Sequence, residues 1–308
     1  MRLRVPVLLR LTAFLLLFLA PCRCAFLRAG DLPEATFRST VAEVQLTFFS
    51  ADERQRTVSD LKAQDFAIVD NENVVRNFRS FMGRDLTKVR VVILVDSSES
   101  VRPRYHQEIR EVLRLIGGTS WISGDSISVL AFSGTQLEKL CHGNCREHLS
   151  SSDEIKMRAQ GTTPLYDALV RGAEAVSKEH DPGLMRVMIV FSDGVDTISL
   201  RSVNEVLDAS RSRELQIYAV DVNETGSQPE GSAMLHALAE ATGGRYFPKQ
   251  EAAVGVLQGM LEDLHAAYVV TYVPPERSPG THRVRILPTH NLNFHFRCRS
   301  SYEYDRNP

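Results

Sequence analysis

The chain reads VRVVILVDSSES over residues 89–100, where a mostly apolar run leads into an acidic, hydroxyl-rich segment. The sequence MRVMIVFSDG, over residues 185–194, repeats this arrangement. Apolar runs of this length are typical of strands that are buried on both faces of a sheet. We therefore predict buried strands over residues 89–95 and 185–191, followed by the carboxylates of Asp96 and Asp193.

A third segment, GTTP at residues 161–164, opens a stretch with helical periodicity. Proline is favoured at the first position of a helix, so Pro164 predicts a helix start. Two carboxylates and three hydroxyls from these segments would converge at the ends of the two strands. Such hard oxygen ligands suit Mg²⁺ or Mn²⁺ and suit zinc poorly. Taken singly, Asp96 would also suit a helix N-cap, and Asp193 a turn before Gly194.

The three segments, in this order, resemble the metal-ion-dependent adhesion site (MIDAS) of von Willebrand factor type A (VWA) domains. The family pattern is Asp-x-Ser-x-Ser, then a Thr after a Gly-containing turn, then an Asp that Gly usually follows. The resemblance covers residues 86–266 and implies that Asp96, Ser98, Ser100, Thr163 and Asp193 bind the metal. In the family, an open metal position takes an Asp or Glu carboxylate from a partner protein. The resemblance therefore implies metal-mediated protein binding and not catalysis.

The pattern over residues 86–266 alternates between strands and helices. Such alternation predicts an α/β fold with a doubly wound, mostly parallel sheet and right-handed crossovers. The resemblance implies that this region is a VWA domain. Ligands of these sheets bind beyond the carboxyl ends of the strands, where the winding reverses. Asp96 and Asp193 both follow strand ends, and the family's strand order places their strands side by side. We also predict a short edge strand over residues 136–140 and a closing helix over residues 251–266.

Two β-rich segments, residues 35–85 and 267–304, flank the α/β region. Residues 74–81 are predicted as one strand, and residues 273–280 as the turn of a hairpin between strands at 268–272 and 281–287. We expect the two segments to pair into one small β-sandwich that carries the α/β domain between them. The layout resembles exported bacterial proteins, common in acidobacteria, that contain a VWA-like domain; the supporting motifs are short, such as Asn77-Phe78 and the YVVTYVP of residues 268–274.

The N-terminus has the pattern of a secretory signal peptide, predicted over residues 1–24. Three arginines within the first ten residues precede the apolar run LTAFLLLFLA, which is too short for a comfortable membrane span. The chain is therefore expected in the periplasm, the cell envelope or outside the cell, and on a membrane only if this segment stays uncleaved. Its removal takes four Arg and no acid, so the net charge goes from −2 to −6. With no basic run, nucleic acid is not an expected partner.

Five cysteines are present, and two of them lie in the predicted signal peptide. Cys141 and Cys145 form a close pair that predicts a small disulfide loop in an oxidising compartment. The alternative is a zinc site of Cys141, His142, Cys145 and Cys298, which lacks the usual ligand spacing. Cys298 would be either a free thiol or paired.

No catalytic motif accompanies the three segments. The sequence has no Gly-x-Ser-x-Gly, no His-Glu-x-x-His and no phosphate loop, which predicts that the protein is not an enzyme. A structural envelope module with a vestigial site and an Mg²⁺-dependent hydrolase remain the alternatives. Glu99 is expected to face solvent. Asp196 and Thr197 would either support the metal ligands or cap the next helix, and Asn223 would be a glycosylation acceptor only in a host that glycosylates it.

Overall fold

The computed structural model describes residues 43–54, 56–83, 88–117, 125–143, 145, 159–176, 184–223, 228–248, 260, 263 and 266–304. The predicted signal peptide and most of the predicted closing helix lie outside these residues. Among the described residues, no helix is long and apolar enough to cross a membrane.

The described residues form fourteen strands and four α-helices. The strands are β1 (Val44–Ala51), β2 (Phe66–Asp70), β3 (Asn73–Val74), β4 (Phe78–Met82), β5 (Lys88–Asp96), β6 (Ser126–Ser133), β7 (Gln136–Gly143), β8 (Leu184–Ser192), β9 (Leu215–Asp221), β10 (Tyr246–Phe247), β11 (Tyr268–Tyr272), β12 (Gly280–Pro288), β13 (His295–Cys298) and β14 (Ser301–Tyr304). The helices are α1 (Tyr105–Gly117), α2 (Leu165–Glu174), α3 (Val203–Arg211) and α4 (Pro229–Thr242).

The α/β region is built on a six-stranded sheet with the order β10-β9-β8-β5-β6-β7. All neighbouring pairs are parallel except β6 and β7, which are antiparallel. The predicted mostly parallel, doubly wound sheet is thereby confirmed. The edge strand β7 is longer than predicted, because its pairing with β6 continues to Gly143 across a register shift near Val129.

Helices cover both faces of this sheet, so each central strand is buried on both sides. On β5, the side chains of Val91, Ile93 and Val95 join one core with α1. The alternate side chains of Val92 and Leu94 join a second core with α2, α3 and α4. This two-sided burial explains why the strand appears in the sequence as a continuous apolar run.

The flanking segments form two antiparallel four-stranded sheets, with the orders β13-β1-β11-β4 and β14-β12-β2-β3. Each sheet combines strands from the N-terminal and the C-terminal segment, and both contribute to one apolar core. Its centre is aromatic: the Phe48 ring lies 5.0 Å from that of Phe66 and 5.6 Å from that of Tyr268, measured between centroids.

Two of the predictions for these segments were wrong. Residues 74–81 are not one strand: β3 pairs with β2 in one sheet, whereas β4 pairs with β11 in the other. Residues 273–280 are not a hairpin turn, because they connect β11 to β12, which belong to different sheets. Both errors have the same physical cause. Each connection carries the chain from one sheet to the other across the common core, which β2, β11 and β12 all line.

Arg297, on β13, attaches the flanking sheets to the α/β region. Its guanidinium donates to the carbonyl oxygens of Gly243 and Gly244 at 2.7 and 2.8 Å, and to the carboxylate of Asp263 at 2.6 Å. It also lies over the Phe49 ring, 4.0 Å from the centroid. These bonds hold the turn that follows α4 against β13.

Candidate metal centre

Asp96 and Asp193 lie at the carboxyl ends of neighbouring parallel strands. β5 pairs with β8 up to Val95 and Phe191, so the two chains leave the sheet side by side. The Ser192 hydroxyl donates to Asp96 Oδ2 at 2.7 Å, which links the two strand ends directly. Asp96 is fully buried and Asp193 is 2% exposed.

The loop after β5 presents the two serine hydroxyls of the motif. The Ser98 amide donates to Asp96 Oδ1 at 2.9 Å, which turns the chain back over the carboxylate. The Ser98 and Ser100 hydroxyl oxygens are 3.0 Å apart. Ser98 is buried, whereas Ser100 is exposed. The loop thus places one buried and one exposed hydroxyl next to each other.

Thr163 is held against the loop that follows Asp193. Its amide donates to Thr197 Oγ1 at 2.8 Å, and its carbonyl oxygen accepts from the Thr197 amide at 2.9 Å. On the other side, the Glu99 amide donates to the Gly161 carbonyl oxygen at 2.9 Å. The Thr163 segment is therefore bonded to both of the other ligand-bearing segments.

Asn223, which follows β9, and the first turn of α4 both contact the Asp193 segment. The Asn223 side-chain amide donates to the Asp193 carbonyl oxygen at 2.6 Å. Gly194 has a φ of +77°, and a Cβ there would lie 2.2 Å from the carbonyl oxygen of Gly231. Only glycine at both positions allows the loop and the helix to approach this closely.

The electrostatics of the site favour a cation. Burial raises the pKa of Asp96 to about 6, and the charge of Asp193 adds to this effect. A third carboxylate, Glu108 on α1, is 3% exposed, and neither of its oxygens has a hydrogen-bond partner among the residues that the structure describes. Burial raises its pKa well above the usual value, as does the charge of Asp96. A divalent cation would offset this concentration of negative charge.

The donor set suits a hard divalent ion. The two carboxylates and three hydroxyls supply oxygen only, as Mg²⁺ and Mn²⁺ prefer. Among the described residues, no group of three or more His, Cys, Asp or Glu side chains is placed to hold a metal. A site in this part of the chain would therefore depend on the hydroxyls as well as on the two carboxylates.

Three polar residues next to the predicted ligands, Glu99, Asp196 and Thr197, make different contacts. Glu99 is exposed and pairs with Arg102 at 2.7 Å, as expected for a solvent-facing residue. Thr197 supports Thr163, as described above. Asp196 accepts from the Tyr166 amide at 3.3 Å, at the start of α2. Neither caps α3, whose N-cap is Ser202.

Sequence reasoning missed three supports of the site: the Ser192 hydroxyl, the Asn223 amide and Gly231. The position of Ser192, directly before Asp193, was a usable signal; the other two lie 30 residues or more further along the chain. Asn223 is 4% exposed and its amide is bonded to the Asp193 carbonyl, so it is poorly placed for glycosylation.

Cys141 and Cys145 are joined by a disulfide, with their Cα atoms 5.6 Å apart. Both sulfurs are thereby removed from the alternative zinc site. Cys298 is a free thiol.

The sequence of this chain matches the family model for the von Willebrand factor type A domain over residues 91–262, more than half of its length. The chain therefore belongs to the VWA family. No curated protein matches it.

Several solved structures are similar to this chain at low identity. BatB from Bacteroides thetaiotaomicron is 16% identical, with 57% of this chain and 96% of that chain covered and a TM-score of 0.44. The ArnB paralog VWA2 from Sulfolobus acidocaldarius is also 16% identical, with coverages of 86% and 76% and a TM-score of 0.45. Proximal thread matrix protein 1 from the mussel byssus, with a zinc-occupied MIDAS motif, is 13% identical, with coverages of 63% and 49% and a TM-score of 0.46.

Proposed function

We propose that this protein binds a partner protein through a divalent metal ion, Mg²⁺ or Mn²⁺, held by Asp96, Ser98, Ser100, Thr163 and Asp193. An Asp or Glu carboxylate of the partner completes the coordination. The observation that carries the proposal is the convergence of two buried carboxylates and a pair of adjacent hydroxyls at the ends of β5 and β8.

The chemistry of the ligands explains why a partner carboxylate would bind. Neutral hydroxyls offset less of the ion's charge than carboxylates would, so the ion keeps residual positive charge. Ser100 and Thr162 are exposed, so the outer side of the site is open to solvent. A partner can approach from that side without any rearrangement of the buried carboxylates. VWA domains are generally interaction modules and not enzymes.

We place the protein outside the cytoplasm, in the periplasm, the cell envelope or the extracellular space. The pattern of the first 24 residues supports export. The disulfide between Cys141 and Cys145 also supports it, because such bonds persist in oxidising compartments. In such a location, metal-mediated binding would serve adhesion to a partner protein.

The proposal is tested by calorimetric titration of Mg²⁺ and Mn²⁺ into the purified chain. Three proteins are compared: wild type, Asp96→Ala, and Asp208→Ala, which removes an exposed carboxylate on α3. We expect saturable binding at one site in wild type and Asp208→Ala, and none in Asp96→Ala. Binding that persists in Asp96→Ala would contradict the assigned site. A folded wild type that binds neither ion would favour a structural module whose site is vestigial.

A further inference from the structure

A groove of about 440 Å³ lies beside the metal centre. It is formed by the turn between β6 and β7, the outer side of α2, and the loop that follows Asp193. Leu137 and Ala168 contribute apolar surface to it, and so do Ile198 and Leu200 of the loop. Two basic residues, Arg171 and Arg201, and two acidic residues, Asp167 and Glu174, also line it.

The groove and the metal centre share the same loops. Pro164, which lines the groove, directly follows the predicted ligand Thr163. The amide of Gly134, also in the lining, donates to the Thr162 carbonyl oxygen at 2.8 Å. A partner segment bound at the metal would therefore lie next to the groove.

Ile198 and Leu200 expose unusually large apolar surface. Leu200 is 94% exposed and Ile198 is 40% exposed, and they are two of the five exposed large apolar residues in the described part of the chain. Single exposed leucines are ordinary, but two on one loop beside a groove form a surface suited to binding.

The loop that carries these side chains is held in place by α2. The amides of Leu200 and Arg201 both donate to the Asp167 carboxylate, at 3.1 and 2.9 Å. The Asp167 amide donates in turn to Ser199 Oγ at 3.0 Å. The apolar side chains are thus presented on a fixed backbone, so little ordering would be needed on binding.

We propose that the groove receives an apolar side chain from the same partner segment whose carboxylate binds the metal. The inference rests on the proposed function and adds to it the chemistry of the partner: an acidic residue and an aliphatic or aromatic residue at a fixed separation. We choose an apolar side chain of the same partner segment because the groove and the proposed metal site share the same loops.

The test uses a phage-displayed library of random peptides that have one fixed central Glu. The library is selected on the immobilised full chain in Mg²⁺ and eluted with EDTA. The same selection is made on Ile198→Ser/Leu200→Ser, on Asp96→Ala, and on Leu292→Ser as a matched control, since Leu292 is 75% exposed on another part of the surface. None of the serine substitutions empties a buried position.

On wild type and Leu292→Ser, we expect the eluted peptides to carry Leu, Ile, Val, Met or Phe at one fixed separation from the Glu. A selected peptide should bind wild type about tenfold more tightly than its glycine-substituted form, as burial of one such side chain implies. On Ile198→Ser/Leu200→Ser, the Glu peptides should lose this preference.

The outcomes separate the two proposals. Peptides that elute with EDTA but show no apolar preference, or keep it on Ile198→Ser/Leu200→Ser, overturn the groove proposal and leave carboxylate binding intact. If wild type enriches no more peptides than Asp96→Ala does, both proposals are overturned.

Discussion

Replacement of Gly231 by alanine should weaken metal binding, although Gly231 is not a ligand. A Cβ at this position would lie 2.2 Å from the carbonyl oxygen of Asp193, and real Cβ contacts are essentially never shorter than 3.0 Å. Helix α4 and the Asp193 loop must therefore separate by about 0.8 Å. Because that same carbonyl oxygen accepts from Asn223 at 2.6 Å, the movement would disturb both supports of Asp193.

Gly231→Ala should remain folded and still bind the metal more weakly. Overpacking costs about 1–3 kcal/mol, and the higher helix propensity of alanine returns up to about 1 kcal/mol, so the variant should fold. Metal ligands need to be placed within about 0.5 Å of their productive geometry. A shift of about 0.8 Å should therefore weaken Mg²⁺ binding about tenfold or more, which corresponds to about 1.4 kcal/mol or more.

Mg²⁺ affinity is measured by calorimetry, and stability by urea unfolding in EDTA. Gly172→Ala is the control for overpacking, because its Cβ would meet only the side-chain ends of Leu94 and Met188, at 3.0 to 3.2 Å. Gly117→Ala is the control for helix propensity, since its Cβ would have no neighbour within 4 Å in the described part of the chain outside its own helix. The reasoning is refuted if Gly231→Ala binds Mg²⁺ as tightly as Gly172→Ala does.

Two further predictions concern single polar contacts. Ser192→Ala removes the hydroxyl that donates to Asp96 Oδ2 at 2.7 Å, so Mg²⁺ binding measured by calorimetry should weaken by a few-fold. The control is Ser212→Ala, in the turn after α3, which should leave Mg²⁺ binding unchanged. His282 lies between two acceptors, Asp70 Oδ1 at 2.9 Å and the Ser278 carbonyl oxygen at 2.8 Å. Although burial lowers its pKa, the bonds to Ser278 and Asp70 raise it above the usual value. A raised histidine pKa gives stability that is present below the unfolded-state pKa, about 6.5, and is lost as the pH rises through the folded-state pKa. Urea unfolding should therefore show wild type to be less stable at pH 8.5 than at pH 6, and His282→Phe should show less of this difference; an equal difference in both proteins would contradict the assignment.

The central strands could be predicted from the sequence because their burial leaves a local signature. β5 and β8 are covered on both faces, so nearly all side chains of the predicted ranges are apolar, with Arg90 and Arg186 as the exceptions, and the run itself indicates the strand. The positions of Asp96 and Asp193 could be predicted as well, because Asp96 ends β5 and Asp193 comes directly after β8. Both strands extend one residue beyond the predicted range at each end, at Lys88 and Asp96 and at Leu184 and Ser192.

The flanking sheets were harder to predict because their partners are distant in sequence. Asn73–Val74 and Phe78–Met82 share a β-favouring composition, and no local pattern shows that they join different sheets. The division depends on Val75, whose amide donates to the Ile68 carbonyl oxygen before the chain leaves that sheet. Such a contact is decided by packing across the common core and not by propensity.

The same distinction applies to the proposed metal centre, because its predicted ligands lie in motifs and the residues that support them do not. The Asp193 carbonyl oxygen depends on Asn223 and on the close approach of Gly231, in the first turn of α4. The other end of α4 is held in turn, because Arg297 donates to the carbonyl oxygens of Gly243 and Gly244. Since a helix moves largely as a rigid body, the bonds from β13 limit the movement of α4 and hence of the Asp193 loop. The flanking sheets therefore help to fix the geometry of the metal centre, although they supply none of the proposed ligands.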